Sequence, residues 1–427
     1  IPLATAAAID SWDMTFQANA DSGTISGQRV GNVAVDGKMA NGNLMLENVR
    51  AIPVTAAAGD GVDAAEPTIQ LSMDWPITDT AAHAETGKLT LAGQRVSPSW
   101  LIDFANRQFE IIDPEFQSPT ESDDPLGATI RELGGGINFN GTLDIGTTAP
   151  DDLANWTSTG TVTQSRLTTD TETLENVSAS WELNDQTLVV RELDGQFASG
   201  VDAGLRGEMT IDVQQGTLTD ARLNTDALPV RWLAMTSRRF DPTIEATLAQ
   251  AGIDLRDAES LAGDIDAQIL FIDPSDDQQT PWGFEIKAKS AALNIAGNRI
   301  ADLAIDAVVD GQTIVVNEAN GRFDDGFVDV SGNWDLQTQT GDADLQWQQL
   351  PIKGLSQLAG GEPIPLGGTT SGKLKVLSES DANGEPNLLI DGSVSGSDIE
   401  YAGLKSRRFE FDIRSDGQQI QIDNFTA

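Results

Sequence analysis

Apolar and polar residues alternate with period two through most of this chain. From Phe409 to Thr426 the order reads FEFDIRSDGQQIQIDNFT, the pattern of strands with one dry and one wet face. Asp416-Gly417 between two alternating runs marks a hairpin. With a two-residue turn there, Phe411 faces Ile422 and Ile413 faces Ile420. Phe409 joins their side, and Glu410, Asp412 and Arg414 take the other. The same object spans Ile300–Ala319 around Asp310-Gly311: Ala307 faces Ile314 and Ile305 faces Val316, with Leu303 and Val309 beside them. It spans Leu174–Leu193 around Asn184-Asp185, where Trp181 faces Leu188 and Ala179 faces Val190, with Val177 and Leu183 on that side. A weaker copy around Asn41-Gly42 sets Met39 against Leu44. Shared turn, register and apolar face make these hairpins a repeat.

A longer period lies above the hairpins. Short helices are predicted at PSWLIDFANR, PVRWLAMTS and PIKGLSQLAG, beginning at Pro98, Pro229 and Pro351, because proline suits the first helical turn. Asp124-Pro125 and Asp241-Pro242 open second helices, closed by Gly134 and Gly252. Each unit then runs through a strand (INFNGTLDI, DIDAQILFI, GKLKVL), a polar loop, another strand, the long hairpin and a closing pair of strands. The expected units are residues 1–94, a partial copy; 95–228 and 229–350, each with two short helices; and 351–427, a truncated copy. Short connections between strands predict a mainly β fold. The chain starts at Ile1 and stops after a hairpin, and is read as a segment of a longer protein, with any membrane anchor outside it.

Charge narrows the partners. The 427 residues hold 26 Lys and Arg against 66 Asp and Glu, a net charge of −40. That argues against nucleic acid and anionic membrane surfaces, which need cations to neutralise phosphate. Such acidity suits a solvated outer face. With no cysteine, disulfides, thiolate catalysis and cysteine–zinc sites are excluded. No apolar run is long enough for a membrane-spanning helix.

Candidates for chemistry are few. The single histidine, His83, lies among alanines and threonines, poor surroundings for a triad or a zinc site. The acidic loops Asp273–Asp277, Asp381–Glu385 and Asp324-Asp325 have oxygen ligands suited to calcium but no complete calcium-loop spacing, and read as solvated turns. Gly134–Gly136 reads as a helix cap and turn, with no Lys-Ser/Thr to make a phosphate loop. No catalytic residue, metal or cofactor is expected. What remains is the apolar stripe, which is either the core of β-sandwiches or a solenoid, or the lining of a groove for long apolar chains.

The repeat resembles the AsmA/TamB/YhdP superfamily of bacterial envelope proteins, the repeating β-groove proteins. The resemblance rests on a Leu-Pro helix (LPVRWLAM, LPIKGLSQL), a glycine-rich lead-in to a strand (LGGTTSGKLKV), a hairpin of the form GNRIADLAIDAVVDGQTIVVNEANGRFDDG, and a strand of the form VDVSGNWDL. It implies a long antiparallel sheet of repeated hairpins curled into an open groove, with short helices at the repeat junctions. It implies that acyl chains of phospholipids ride in the groove between inner and outer membranes, in the periplasm of a diderm bacterium. The implied lining is Val177, Ala179, Trp181, Leu188, Val190, Leu303, Ile305, Val309, Ile314, Val316, Phe409, Phe411, Ile413, Ile420 and Ile422. Membrane contact would be made by segments outside this chain, anchored in the inner membrane. One branch of the superfamily implies an outer-membrane protein partner and a role in assembling such proteins. A surface adhesin or stalk of stacked β domains is the competing reading, and a carbohydrate-active solenoid a third.

Overall fold

In a computed structural model the described residues are almost entirely strand. The structure describes residues 13–25, 28–40, 42–53, 67–76, 86–104, 133–146, 153–169, 172–198, 203–214, 217–240, 245, 249, 253–254, 257, 260–272, 283–295, 297–310, 313–323, 325–335, 338, 340–352, 366–380, 386–401, 404–416 and 419–426. Two units divide it, at Thr219 and Asp220. The first is a meander of β1 (Asp13–Ile25), β2 (Gln28–Ala40), β3 (Asn43–Pro53), β4 (Thr68–Pro76), β5 (Thr86–Val96), β6 (Gly134–Gly146), β7 (Trp156–Thr168), β8 (Thr173–Asn184), β9 (Thr187–Phe197) and β10 (Gly204–Asp212). The second runs through β11 (Thr217–Pro229), β12 (Leu261–Ile272), β13 (Gly283–Ile295), β14 (Asn298–Asp310), β15 (Thr313–Phe323), β16 (Gly326–Asp335), β17 (Thr340–Pro351), β18 (Leu366–Ser380), β19 (Pro386–Tyr401), β20 (Leu404–Asp416) and β21 (Ile420–Thr426). Within each unit every strand pairs antiparallel with its neighbours in sequence, as in β2–β3 and β14–β15. The fold is a mainly β, curled antiparallel sheet.

The hairpin faces follow the alternation, but three registers differ from the expected ones. Around Asn41-Gly42, Met39 does pair with Leu44. Elsewhere the strands have slipped by two residues. Trp181 pairs with Val190 and Leu183 with Leu188; Ala307 pairs with Val316 and Val309 with Ile314; Ile413 pairs with Ile422 and Ser415 with Ile420. The turn of the second hairpin is Asp185-Gln186, with φ of 46° and 65°, the left-handed pair of a type I′ turn. The slip has a packing reason: it gives Leu183 and Val309 apolar partners, which the earlier turns would have denied them. A slip of two leaves every side chain on its own face.

Every sixth strand carries the same irregularity. Near the ends of β5, β11 and β17, Arg95, Ala227 and Gln349 have φ of 53°, 49° and 52°, and the register breaks there. Such bulges bend the strand and re-aim its side chains. The next residue in each case, Val96, Leu228 or Leu350, is turned inward and is 0%, 4% or 2% exposed. The bulged N–H would be an orphan donor. Each is taken by a side chain on the following strand: Arg95 N donates to Asn138 Oδ1 at 2.8 Å, Ala227 N to Asp266 Oδ1 at 2.8 Å, and Gln349 N to Ser371 Oγ at 2.9 Å. Each acceptor lies three residues after a left-handed glycine: Gly135, Gly263 or Gly368, with φ of 96°, 115° and 106°. Gly134–Gly136 are therefore the start of β6, not a turn. A Cβ on Gly135 would lie 2.0 Å from the Arg166 carbonyl oxygen, so only glycine lets the two strands close.

The bulges hand the chain to the helices. Ser97 caps the first, α1 (98–104), accepting a hydrogen bond from Trp100 N through Oγ at 3.1 Å, with Pro98 in its first turn. The second, α2 (Val230–Phe240), starts immediately after Pro229. The Pro351 helix is described only at Ile352 and the Asp241-Pro242 helix only at Glu245 and Ala249, while the helix expected after Asp124-Pro125 lies outside the described residues. In the first unit Trp100, Leu101 and Phe104 pack on Val30, Ala51, Ile69 and Val96. In the second, Val230, Ala234 and Met235 pack on Ile253 and Leu261. Val230 also reaches the neighbouring cluster of Ile265, Ala288, Leu293 and Ile300. The core is thus a strip along the bulged ends of the strands.

Candidate functional site

Away from that strip, the apolar face of each sheet has nothing packed over it among the described residues. Strands make their substantial contacts with hydrogen-bonded neighbours. In the first unit one row of side chains runs Val35, Val49, Leu71, Leu91, Gly141, Gly160, Trp181, Val190 and Met209, one from each strand β2–β10. In the second a row runs Ala267, Ala288, Ile305, Ala319, Val330, Leu345, Leu374, Gly392, Ile413 and Ile422 over β12–β21, its first three members belonging to or packing on the covered cluster and the rest lying clear of it. Neither row contains a charged or strongly polar side chain.

The fifteen expected lining residues all lie on this face within their hairpins. Thirteen are half-buried; Ile420 and Ile422 are 68% and 57% exposed, and none is buried. A sandwich core would have buried them. Ile305 and Leu303 border the covered cluster of Ile265 and Ile300, so they stand at the edge of the open face. One apolar residue escaped the alternation. Asn424 sits in a bulge with φ 54°, and this brings Phe425 round to stack 6.4 Å from Phe411, itself 5.6 Å from Phe409. The pattern NFT gives no sign of it.

Aromatic rings on this face lie over glycines. Phe16 pairs with Gly37, Phe139 with Gly93, Trp181 with Gly160, Trp334 with Gly341, Trp347 with Gly372 and Phe409 with Gly396. In each pair a Cβ on the glycine would meet the ring at 2.9 Å or less. The Trp181 ring covers Gly160 and reaches Gly141 one strand further on. Its Nε1 donates to Ser158 Oγ at 3.2 Å, and Trp347 Nε1 donates to Thr370 Oγ1 at 3.0 Å. These two inward hydroxyls therefore hold indoles down.

The opposite face is wet. The row behind the second lane reads Gln268, Lys287, Asp306 and Glu318, then Ser331, Asp344, Lys375, Asp391, Arg414 and Gln421. Arg414 Nε is 3.1 Å from Asp391 and Arg322 Nη1 is 3.3 Å from Asp302. Lys287 donates to Glu285, and that hydrogen bond, with the carboxylate's charge, raises its pKa above the ordinary lysine value. Two shallow depressions, of about 420 and 400 Å³, lie on this side. Thr142, Thr159, Glu182 and Arg191 border the first, and Asp344, Lys373, Lys375 and Asp391 the second. Neither assembles a nucleophile with a base, and no cluster of three metal-binding side chains occurs among the described residues. His83 and the loops Asp273–Asp277 and Asp381–Glu385 lie outside those residues, as does Asp324. Comparison with protein-family models, with characterised proteins and with solved structures gave no match.

Proposed function

We propose that the open apolar faces carry the acyl chains of phospholipids, and that the chain is a segment of an envelope protein of the AsmA/TamB kind working between two membranes. One observation carries this: within each unit a charge-free row of mostly half-buried apolar residues crosses strand after strand, with no second sheet over it among that unit's described residues. In water such a face is costly, because each methylene kept dry is worth about 0.8 kcal/mol. A contiguous apolar area of this extent marks a binding surface. An acyl chain fits it chemically. It has no hydrogen-bonding groups to leave unsatisfied, and a row of similar side chains offers it similar affinity at each step. The headgroup would stay in water, beyond the lip of the sheet.

Purification in mild detergent followed by lipid mass spectrometry tests the reading. Phospholipid should be recovered with the protein, and a photo-crosslinking residue at Leu345 or Val316 should capture it. One at Lys375, on the wet face, should not. Protein free of lipid, with no crosslink at any lane position, would leave the proposal without support.

A further inference from the structure

We infer that Gly160 and Trp181 set the depth of the first unit's groove, so that an acyl chain passes over the face of the indole. This rests on the lipid reading above. Trp181 stands within the apolar row, between Gly160 and Val190, and is only half-buried. Its ring is fixed from two directions. Gly160 beneath it has no side chain, and a Cβ there would lie 2.0 Å from Cζ2 and 2.3 Å from Cη2. Ser158 on the same strand as Gly160 accepts its N–H at 3.2 Å. A tryptophan standing upright on a sheet would project several ångströms into the path of a ligand. Laid down over two glycines, it adds apolar area without height. The indole face is also a polarisable surface on which methylenes make many weak dispersion contacts and no directional ones, which suits a chain that must move. Trp100 is the built-in contrast: it projects from the first helix onto the sheet, stacked on Phe104, is 6% exposed, and faces no open surface.

The test has two parts. In the first, the intact protein is loaded with dibromostearoyl phosphatidylcholine, whose bromines quench tryptophan on contact. The quenched fraction should drop in Trp181→Phe and rise slightly in Trp100→Phe, which removes an unquenched ring from the total. In the second, Gly160→Ala should push the ring up and lower bound lipid several-fold, and adding Trp181→Leu should restore it, with circular dichroism confirming the fold of each. If the wild type binds no lipid, the function itself fails. If it binds lipid but Trp181→Phe leaves quenching unchanged, or Gly160→Ala binds normally, or the double variant is not rescued, the role assigned to this pair is overturned while the groove stands.

Discussion

The bulged ends of the strands and their middles are made of the same residue types and behave differently. At the bulged ends, Val96, Leu228 and Leu350 are sealed, and helices lie over the sheet beside the first two. In the middles, Val316, Leu345 and Phe411 point from equally regular strands and stay half-exposed. The difference lies in the backbone. A left-handed residue turns one side chain further inward, a glycine lets the next strand close, and a proline starts a helix that covers the result. Burial that stabilises the fold is concentrated where the bulges are, and the rest of the apolar face is left for something else.

The sharpest way to break this contrast is to place a carboxylate in each region. Val96→Asp buries an unpaired charge and should cost about 3–5 kcal/mol, enough to unfold the first unit. Phe411→Asp should cost only about 1–2 kcal/mol, from lost ring packing, because its carboxylate can reach water. Yet it should sever the lane and reduce bound lipid. Urea denaturation followed by circular dichroism, with lipid analysis alongside, reads both. Equal destabilisation would mean that the middle of the sheet is covered too. Ile305→Asp is a poorer probe, since Ile305 touches the covered cluster.

The glycines of the bulge motif come next. Gly135→Ala meets a carbonyl oxygen at 2.0 Å in a left-handed conformation, and should cost roughly 2–4 kcal/mol. Gly263→Ala and Gly368→Ala meet carbonyls at 2.5 and 2.7 Å and should cost less, in that order. Removing the clamps themselves is milder. Asn138→Ala or Ser371→Ala frees one backbone donor and should cost about 1–2 kcal/mol, and Asp266→Ala more, because its acceptor is charged. Asp266→Asn keeps an acceptor and should recover most of that loss. If all three clamp variants melt as wild type does, the bulges are held by packing alone.

The faces were legible in the sequence because period two leaves little choice: Phe409, Phe411 and Ile413 cannot be split between sides without a bulge. The registers were less legible. An Asp-Gly pair marks the neighbourhood of a turn, but whether Val309 sits in the turn or pairs with Ile314 depends on cross-strand packing. The bulges were invisible, because a single break in alternation at Arg95 or Asn424 looks like an ordinary polar residue. The aromatic–glycine pairs need the correct register before they can be seen at all. Whether the apolar face is covered is not a local property, since Val316 would alternate identically beneath a second sheet.

The smallest expected effect concerns the wet face. Twenty-six cations can neutralise at most 26 of 66 acids, so 40 carboxylates remain in excess. Ion pairs such as Arg322–Asp302 and Arg414–Asp391 are exposed, and such pairs contribute about 0–1 kcal/mol each. Repulsion among the unpaired acids opposes this stabilisation over longer distances. The Debye length falls from about 30 Å at 0.01 M salt to about 3 Å at 1 M, so salt removes repulsion between neighbouring rows before it dissolves a pair at 3 Å. Sodium chloride should therefore raise the melting temperature, by a few degrees between 0.01 and 0.5 M, roughly what 1 kcal/mol provides in a unit of this size. A fall over the same range would show that the ladder of cross-strand pairs outweighs the excess charge. Phe411→Asp should share the salt response of the wild type, because one more exposed carboxylate among so many changes little. Val96→Asp should not be rescued by salt, since screening does not reach a buried charge. That difference separates the sealed ends of the strands from their open middles without any ligand present.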